Sequence, residues 1–203
     1  MKIAITGHTK GLGKALADAY SEHQVLGFSR TNGYDLQQRG VVDKILEQSK
    51  QCDIFINNAY VADKQTELFV RAVQQFENTN TLVINISSKW GWCPSDVIPE
   101  WNKQYVIDKI KQNNFFTLSS IKPNRKTLNV ILGVVDTDMT SDLQCDFKMD
   151  PNRVAKTIKL IQELLDNQIA IQEIVIESNK VNWNNAKSND LNYQSFINGM
   201  REL

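Results

Sequence analysis

Ile3-Ala4-Ile5-Thr6-Gly7-His8-Thr9-Lys10-Gly11-Leu12-Gly13-Lys14-Ala15-Leu16-Ala17 is the stretch on which the reading of the fold turns. A short apolar run ends in a glycine-rich turn, and an apolar-periodic segment from Leu12 to Tyr20 follows. That is the strand-turn-helix layout of a dinucleotide site. Glycines let the backbone approach a pyrophosphate, while a helix starting near Gly11 offers unpaired N–H groups and the positive end of its dipole to the anion. A phosphate loop of the Gly-x-x-x-x-Gly-Lys-Ser/Thr type is excluded, because Leu12 stands five residues after Gly7 and Ala15 follows Lys14. By itself the stretch also fits an ordinary tight turn, so the remainder of the chain has to decide.

At 203 residues the chain has the length of one domain with a substantial core. Its 41% hydrophobic and 23% charged content are those of an ordinary globular protein, and 23 basic residues balance 23 acidic ones. No net field attracts nucleic acid or a membrane surface, so any phosphate site must be local. The N-terminus enters strand directly, without an n-region and cleavage site, and no apolar run approaches the length of a bilayer span. Cys52, Cys93 and Cys145 are odd in number and widely spaced, without a Cys-x-x-Cys pair, which points to reduced thiols in a cytoplasmic compartment. With only His8 and His23 as histidines, a Ser-His-Asp hydrolase or a histidine metal site has little to draw on, and no metal is expected.

Strand-like runs recur at Lys2–Thr6, Gln24–Ser29, Asp53–Asn57, Thr81–Ser87, Thr127–Val135 and Glu173–Glu177. Helical patterns lie at Gly11–Glu22, Gln37–Ser49, Asp63–Phe76, Glu100–Ser119 and Pro151–Asn167, the last with Asp150 as N-cap and Pro151 at its first position. Alternating strands and helices, with nearly continuous apolar strands, predict an α/β chain with a doubly wound parallel sheet covered on both faces, a three-layer α/β/α domain of the Rossmann type. The link Arg30–Leu36 is too short for a crossover helix, and Tyr34–Leu36 is expected to form a stub of strand after the Asn32-Gly33 turn. Residues 178–203 read as a C-terminal arm on a single domain spanning 1–203, packing by Trp183, Leu191, Tyr193, Phe196 and Ile197.

In an open parallel sheet, ligands bind beyond the carboxyl ends of the strands. Gly7–Gly13, Ser29-Arg30, Asn57-Asn58-Ala59, Ser87-Ser88 and Asp136-Thr137 all stand there. Tyr105 and Lys109, four apart, project from one face of the predicted helix. An ammonium beside a phenol favours phenolate and lowers its pKa from about 10 toward neutrality, which suits proton exchange with a substrate. A Tyr-x-x-x-Lys pair also describes an ordinary solvated helix face.

Taken together these features resemble the short-chain dehydrogenase/reductase family. The resemblance rests on Thr6-Gly7-x-x-x-Gly11-x-Gly13, Asp35-Leu36, Asn57-Asn58-Ala59, Ile84-Asn85-Ile86-Ser87-Ser88, Tyr105-x-x-x-Lys109 and Val135-Asp136-Thr137-Asp138-Met139, in the family's order and covering roughly residues 1–160. It implies hydride transfer between a nicotinamide and a small carbonyl or alcohol substrate. Tyr105 would be proton donor and acceptor, Ser88 would stabilise the substrate oxygen, and Lys109 would hold the nicotinamide ribose and depress the Tyr105 pKa. Ser87 is not expected to be catalytic.

For the cofactor, the resemblance brings Gly7, His8, Thr9, Lys10, Gly11, Leu12 and Gly13 to the phosphates, Asp35 and Leu36 to the adenine, Asn58 and Ala59 to the adenosine ribose, and Val135 and Thr137 to the nicotinamide side. NAD-preferring relatives carry an acid at the end of the second strand, where this chain reads Ser29-Arg30. A hydroxyl, a guanidinium and the nearby Lys10 suit a 2′-phosphate, so NADP(H) is predicted over NAD(H), with solvated surface cations as the bland alternative.

Four departures stand out. A crossover helix is missing after the second strand, Tyr60 replaces the family's Gly after Asn-Asn-Ala, Leu132 replaces its Pro before Gly133, and Asp63–Phe76 contains no Asn for the family's water relay. The substrate pocket is expected from loops 89–101 and 139–150, where Trp90, Trp92, Cys93 and Trp101 either shape a flat pocket or only pack the loop down. The competing functions are a noncatalytic NADP(H)-binding sensor or scaffold and, ranked last, an extended-type epimerase or dehydratase. Association as a homodimer or homotetramer through the Tyr105 helix and the preceding one is the family's habit.

Overall fold

The computed structural model describes residues 1–92, 100–120, 126–165 and 170–179. Its strands are β1 (Lys2–Thr6), β2 (Gln24–Phe28), β3 (Ile54–Asn57), β4 (Leu82–Ser88), β5 (Thr127–Leu132) and β6 (Glu173–Ile176), all parallel, in the order β2-β1-β3-β4-β5-β6. The connecting helices are α1 (Gly11–Ala19), α2 (Val41–Gln48), α3 (Asp63–Gln75), α4 (Lys103–Ser120) and α5 (Pro151–Leu164). This is the doubly wound sheet the alternation predicts. Winding reverses between β1 and β3, which sit side by side, and opens a crevice at their carboxyl ends.

Strand periodicity sends alternate side chains to two separate cores. Ile3, Ile5, Ile54, Ile56, Ile84 and Ile86 pack with Leu16 of α1 and Val154 and Ile158 of α5. Ala4, Phe28, Phe55 and Val83 face the other way, onto Leu46, Phe69 and Phe116 from α2, α3 and α4. Asp150 caps α5 as read from the sequence, its carboxylate accepting from the Asn152 amide at 2.9 Å with Pro151 in the first turn.

On the α3/α4 face three buried asparagines stand in register across β3, β4 and β5. Asn57 Nδ2 donates to Asn85 Oδ1 at 3.0 Å, and Asn85 Nδ2 donates to Asn129 Oδ1 at 2.8 Å. Asn129 Nδ2 then donates to Glu173 on β6 at 2.8 Å and to Asn113 of α4 at 3.3 Å. A one-residue slip of any strand would turn its amide into the opposite, wholly apolar core.

The link after β2 corrects the sequence reading. Tyr34–Leu36 forms no strand; a 3-10 turn at Arg30–Asn32 is followed by Gly33 at φ 88°, and the chain folds inward. Leu36 is buried in the α2/α3 core, and the Tyr34 ring packs edge-on against Phe28 at 4.8 Å. Burying Leu36 and Tyr34 under the sheet edge wins over extending the sheet by a fragment, so β2 is the edge strand and α2 the sole helix between β2 and β3. Helix α2 starts at Val41 rather than Gln37 because Gly40 precedes it at φ 81°. Beyond residue 179 the expected C-terminal arm lies outside the described residues. Among the described residues no helix is long and apolar enough to cross a membrane.

Replacing Asn85 by Leu strands the Asn129 carbonyl and takes away the acceptor of the Asn57 amide in a dry sheet face. Urea unfolding should show a loss of roughly 2–4 kcal/mol. An unchanged unfolding midpoint would refute the structural weight placed on this row.

Candidate active site

The turn between β1 and α1 sets the floor of the site. Gly7 has φ 72° and its N–H donates to Phe28 O at 2.7 Å, tying the turn to β2. A Cβ on Gly13 would meet Gly7 O at 2.1 Å and the Asn58 side chain at 2.6 Å, so only glycine lets α1 start this close to the turn. Lys10 at the N-cap makes no side-chain cap bond, which leaves the first N–H groups of α1 pointing outward. The result is a backbone cradle, formed where a Cβ would not fit, whose outward N–H groups could hold a diphosphate. Thr6 links it to the next strand, its hydroxyl accepting from the Asn58 and Ala59 amides, both at 3.0 Å.

A groove of about 710 Å³ runs from this cradle along the carboxyl ends of the strands. Of the residues singled out in the sequence, Gly7, Thr9, Lys10, Gly11, Leu12, Gly13, Ser29, Arg30, Leu36, Asn58, Ala59, Ser88, Tyr105, Lys109, Val135 and Thr137 line it. Two anticipated cofactor residues do not. His8 turns under the cradle against Gly27, where a Cβ would lie 2.2 Å from the ring, and its buried Nδ1 has no partner. Asp35 faces away, its carboxylate accepting from the Gln37 amide at 3.1 Å. The sequence reading missed Thr31, Tyr34 and Gln37, which line the groove because the link after β2 folds inward; Met139, from the loop expected at 139–150, lines it as well.

At the β2 end, Ser29 is held by its own turn. Its hydroxyl bonds Thr31 at 2.8 Å and Asn32 at 3.0 Å, so it shapes the turn that presents Arg30. Arg30 is exposed and forms no ion pair among the described residues, and no acid lines this end of the groove. Lys10 and Asp138 face each other across the opening at 3.7 Å, with side chains 81% and 86% exposed.

Ser88, Tyr105 and Lys109 meet where β4 and α4 converge. Ser88 ends β4 and its Oγ accepts from the Trp90 amide at 3.3 Å. Burial pushes the Tyr105 phenol above its ordinary pKa, and the hydrogen bond with Ser88 works in the opposite direction. The depression expected from Lys109 is not among the causes of this shift; burial is the largest and Ser88 the one that opposes it. The ammonium lies 5.5 Å from the Tyr105 ring centroid with its protons committed to Gln65 Oε1 at 2.8 Å, Ile86 O at 3.0 Å and Gln112 Oε1 at 3.3 Å. Lys109 is only 3% exposed; burial lowers its pKa to about 7, while the neighbouring Asp108 carboxylate opposes the shift. Ser87 also lines the groove, its hydroxyl donating to Asn113 Oδ1 at 2.6 Å.

Tyr60, the departure after Asn-Asn-Ala, reaches over α4. Its hydroxyl donates to Asp108 Oδ2 at 3.0 Å, and its ring meets Tyr105 edge-on at 4.8 Å. Helix α3 contains no Asn, and the group it presents to Lys109 is Gln65. Trp90 and Trp92 do not line the groove, since Gly91 between them packs on Lys109 O and Asn113 of α4. Cys93 falls outside the described residues, as does the Trp101 side chain. Among the described residues no cluster of His, Cys, Asp or Glu could hold a metal ion.

No family model matches the chain, and no curated protein matches it in sequence. Solved structures do. An alcohol dehydrogenase from the archaeon Thermococcus sibiricus, complexed with 5-hydroxy-NADP, superposes with a TM-score of 0.70 at 14% identity, over 87% of this chain and 96% of that one. A short-chain dehydrogenase from Burkholderia cenocepacia J2315 in complex with NADP gives 0.69 at 14%, over 87% and 88%. A 3-alpha-hydroxysteroid dehydrogenase from Pseudomonas sp. B-0831 complexed with NADH gives 0.62 at 17%, over 87% and 95%. At these identities the likeness is one of fold: the chain has the fold of the short-chain dehydrogenases.

The Lys109 environment carries a pH signature. Above about pH 7 the buried amine sheds its proton, whereas in the unfolded chain it keeps it to about pH 10.4. The unfolded state then binds more protons, so this group makes the fold more stable as pH rises from about 7 to 10. Unfolding free energies measured across that range should climb more steeply in the native protein than in Lys109→Met; equal slopes would contradict the depressed pKa.

Proposed function

We propose that the chain is a short-chain dehydrogenase/reductase, an NADP(H)-dependent oxidoreductase of the carbonyl reductase type that moves a hydride between nicotinamide and a small carbonyl or alcohol carbon. The observation that carries this reading is the convergence of Ser88, Tyr105 and Lys109 in the same groove as the glycine cradle. A bound nicotinamide supplies the hydride. Tyr105 delivers its proton to the substrate oxygen during reduction and recovers it during oxidation, and the phenol held protonated by burial is the form needed for the first direction. Ser88 shares the hydrogen bond to that oxygen as its negative charge grows. Lys109 contributes a buried cation beside both groups, keeping its protons while one of its three N–H donations turns from a protein acceptor to the cofactor side; Gln112, at the longest of the three contacts, is the acceptor that gives way most readily.

Arg30 supports NADP(H), since an exposed guanidinium at the end of β2, with no carboxylate lining that end of the groove, suits a 2′-phosphate. The noncatalytic sensor alternative gains nothing from the site, whose three reactive groups stand together.

Parallel fluorescence titrations with NADPH and NADH should show tighter binding of NADPH. Arg30→Ala should weaken NADPH by about 10- to 100-fold, the worth of one or two charge-assisted hydrogen bonds, and leave NADH nearly unchanged. Equal losses for both cofactors would remove Arg30 from 2′-phosphate recognition. In a carbonyl-reduction assay, Tyr105→Phe should lower turnover by about 10²- to 10⁴-fold with NADPH binding retained. Undiminished turnover would overturn the proton-donor assignment.

A further inference from the structure

Gln65 lies in the first turns of α3, 2% exposed, with every polar group of its side chain engaged. Its Nε2 donates to Asn57 O at 3.2 Å and to Ile86 O at 3.0 Å, at the ends of β3 and β4, while its Oε1 accepts from Lys109 Nζ at 2.8 Å. Asn57 answers with a bond from Nδ2 to the Gln65 backbone carbonyl at 3.0 Å. Ile86 O is shared, accepting from Lys109 at 3.0 Å as well, so amide, carbonyl and amine close a ring. A lysine on its flexible four-carbon stem gains a fixed place only if something holds its head.

The geometry points to Gln65 as the positioning residue for Lys109: by direct contact it holds the amine at the ends of β3 and β4, so α3, not the arriving cofactor, sets where the charge stands. The inference rests on the oxidoreductase reading of Lys109 above. The charged group acting on Lys109 is Asp108, its neighbour on α4; the phenols of Tyr105 on α4 and Tyr60 after β3 flank it, their ring centroids 5.5 and 5.7 Å from Nζ. Gln65, Ile86 O and Gln112 are neutral acceptors, so a change at position 65 is felt by the amine directly.

A residue that merely fastens α3 to the sheet can be told apart from one that positions the amine. Gln65→Met keeps length and loses every bond. Gln65→Glu keeps the acceptor toward Lys109 and loses the two donors toward the strands. Fastening alone makes the two variants equally poor, whereas positioning makes the Glu variant rescue.

The test uses full-length protein labelled with ¹³C-lysine, the Lys109 Cε signal being the one lost in Lys109→Met, with fold checked by circular dichroism. Gln65→Glu should raise the Lys109 titration midpoint by about one pH unit or more through the new ion pair, and Gln65→Met should lower it. With NADPH saturating, kcat should fall about tenfold or more in Gln65→Met, with its pH limb displaced, and recover at least partly in Gln65→Glu. A Lys109 midpoint unmoved in both variants, or Glu and Met variants alike in midpoint and kcat, overturns the proposal. If the midpoints move as stated while the native protein reduces no carbonyl compound with NADPH, the positioning role stands and the oxidoreductase reading fails.

Discussion

A buried amide is tolerated in an apolar sheet only when its partners are in place, and this condition governs the α3/α4 side of the molecule. Asn57, Asn85 and Asn129 bond one another only when three strands run in a single register, and Asn57 Oδ1 at the end of the row stays buried without a partner among the described residues. That register also sets where the strands end, and hence where Asn58, Ser88 and the segment after Leu132 emerge. Through Asn57 and Gln65 the row is joined to Lys109, so sheet and site share one hydrogen-bond system. The arrangement fixes geometry at the cost of tolerance, since a half-satisfied row is worse than none.

The site itself balances burial against charge. Desolvation raises the Tyr105 phenol and lowers the Lys109 amine, pushing both toward their neutral forms. Ser88 and Asp108 oppose those shifts, and neither prevails over burial. Burial therefore keeps the phenol in its protonated form and makes loss of that proton near neutrality harder.

Much of this was legible in the residues. The glycine spacing, the β-type runs and the Tyr105–Lys109 interval located the cradle, the strands and the facing side chains because each rests on a local period or a steric requirement. The misreadings share a cause. Tyr34–Leu36 looks extended, but whether a short run joins an edge or folds into the core depends on what Phe28 and α2 leave exposed, which no local pattern records. His8 sits inside the glycine motif, yet Gly27 on another strand supplies the space that draws its ring away from the groove. Gln65 was invisible as a partner of Lys109 because the contact spans 44 positions. The sign to look for was a glutamine amid the apolar positions of an amphipathic helix.

The pair formed by Lys10 and Asp138 joins the two lips of the groove, one from the glycine turn and one from the segment after β5. Both side chains stand almost wholly in water, where such a contact is worth about 0.2–1 kcal/mol, little more than thermal agitation. It behaves as a swinging hasp and not as a latch: the entrance stands open much of the time, and a dinucleotide bound as proposed above would bring anionic phosphates that compete with Asp138 for the same ammonium. Entry would then exchange one weak partner of Lys10 for a better one, and added salt would loosen the old contact and the new one alike.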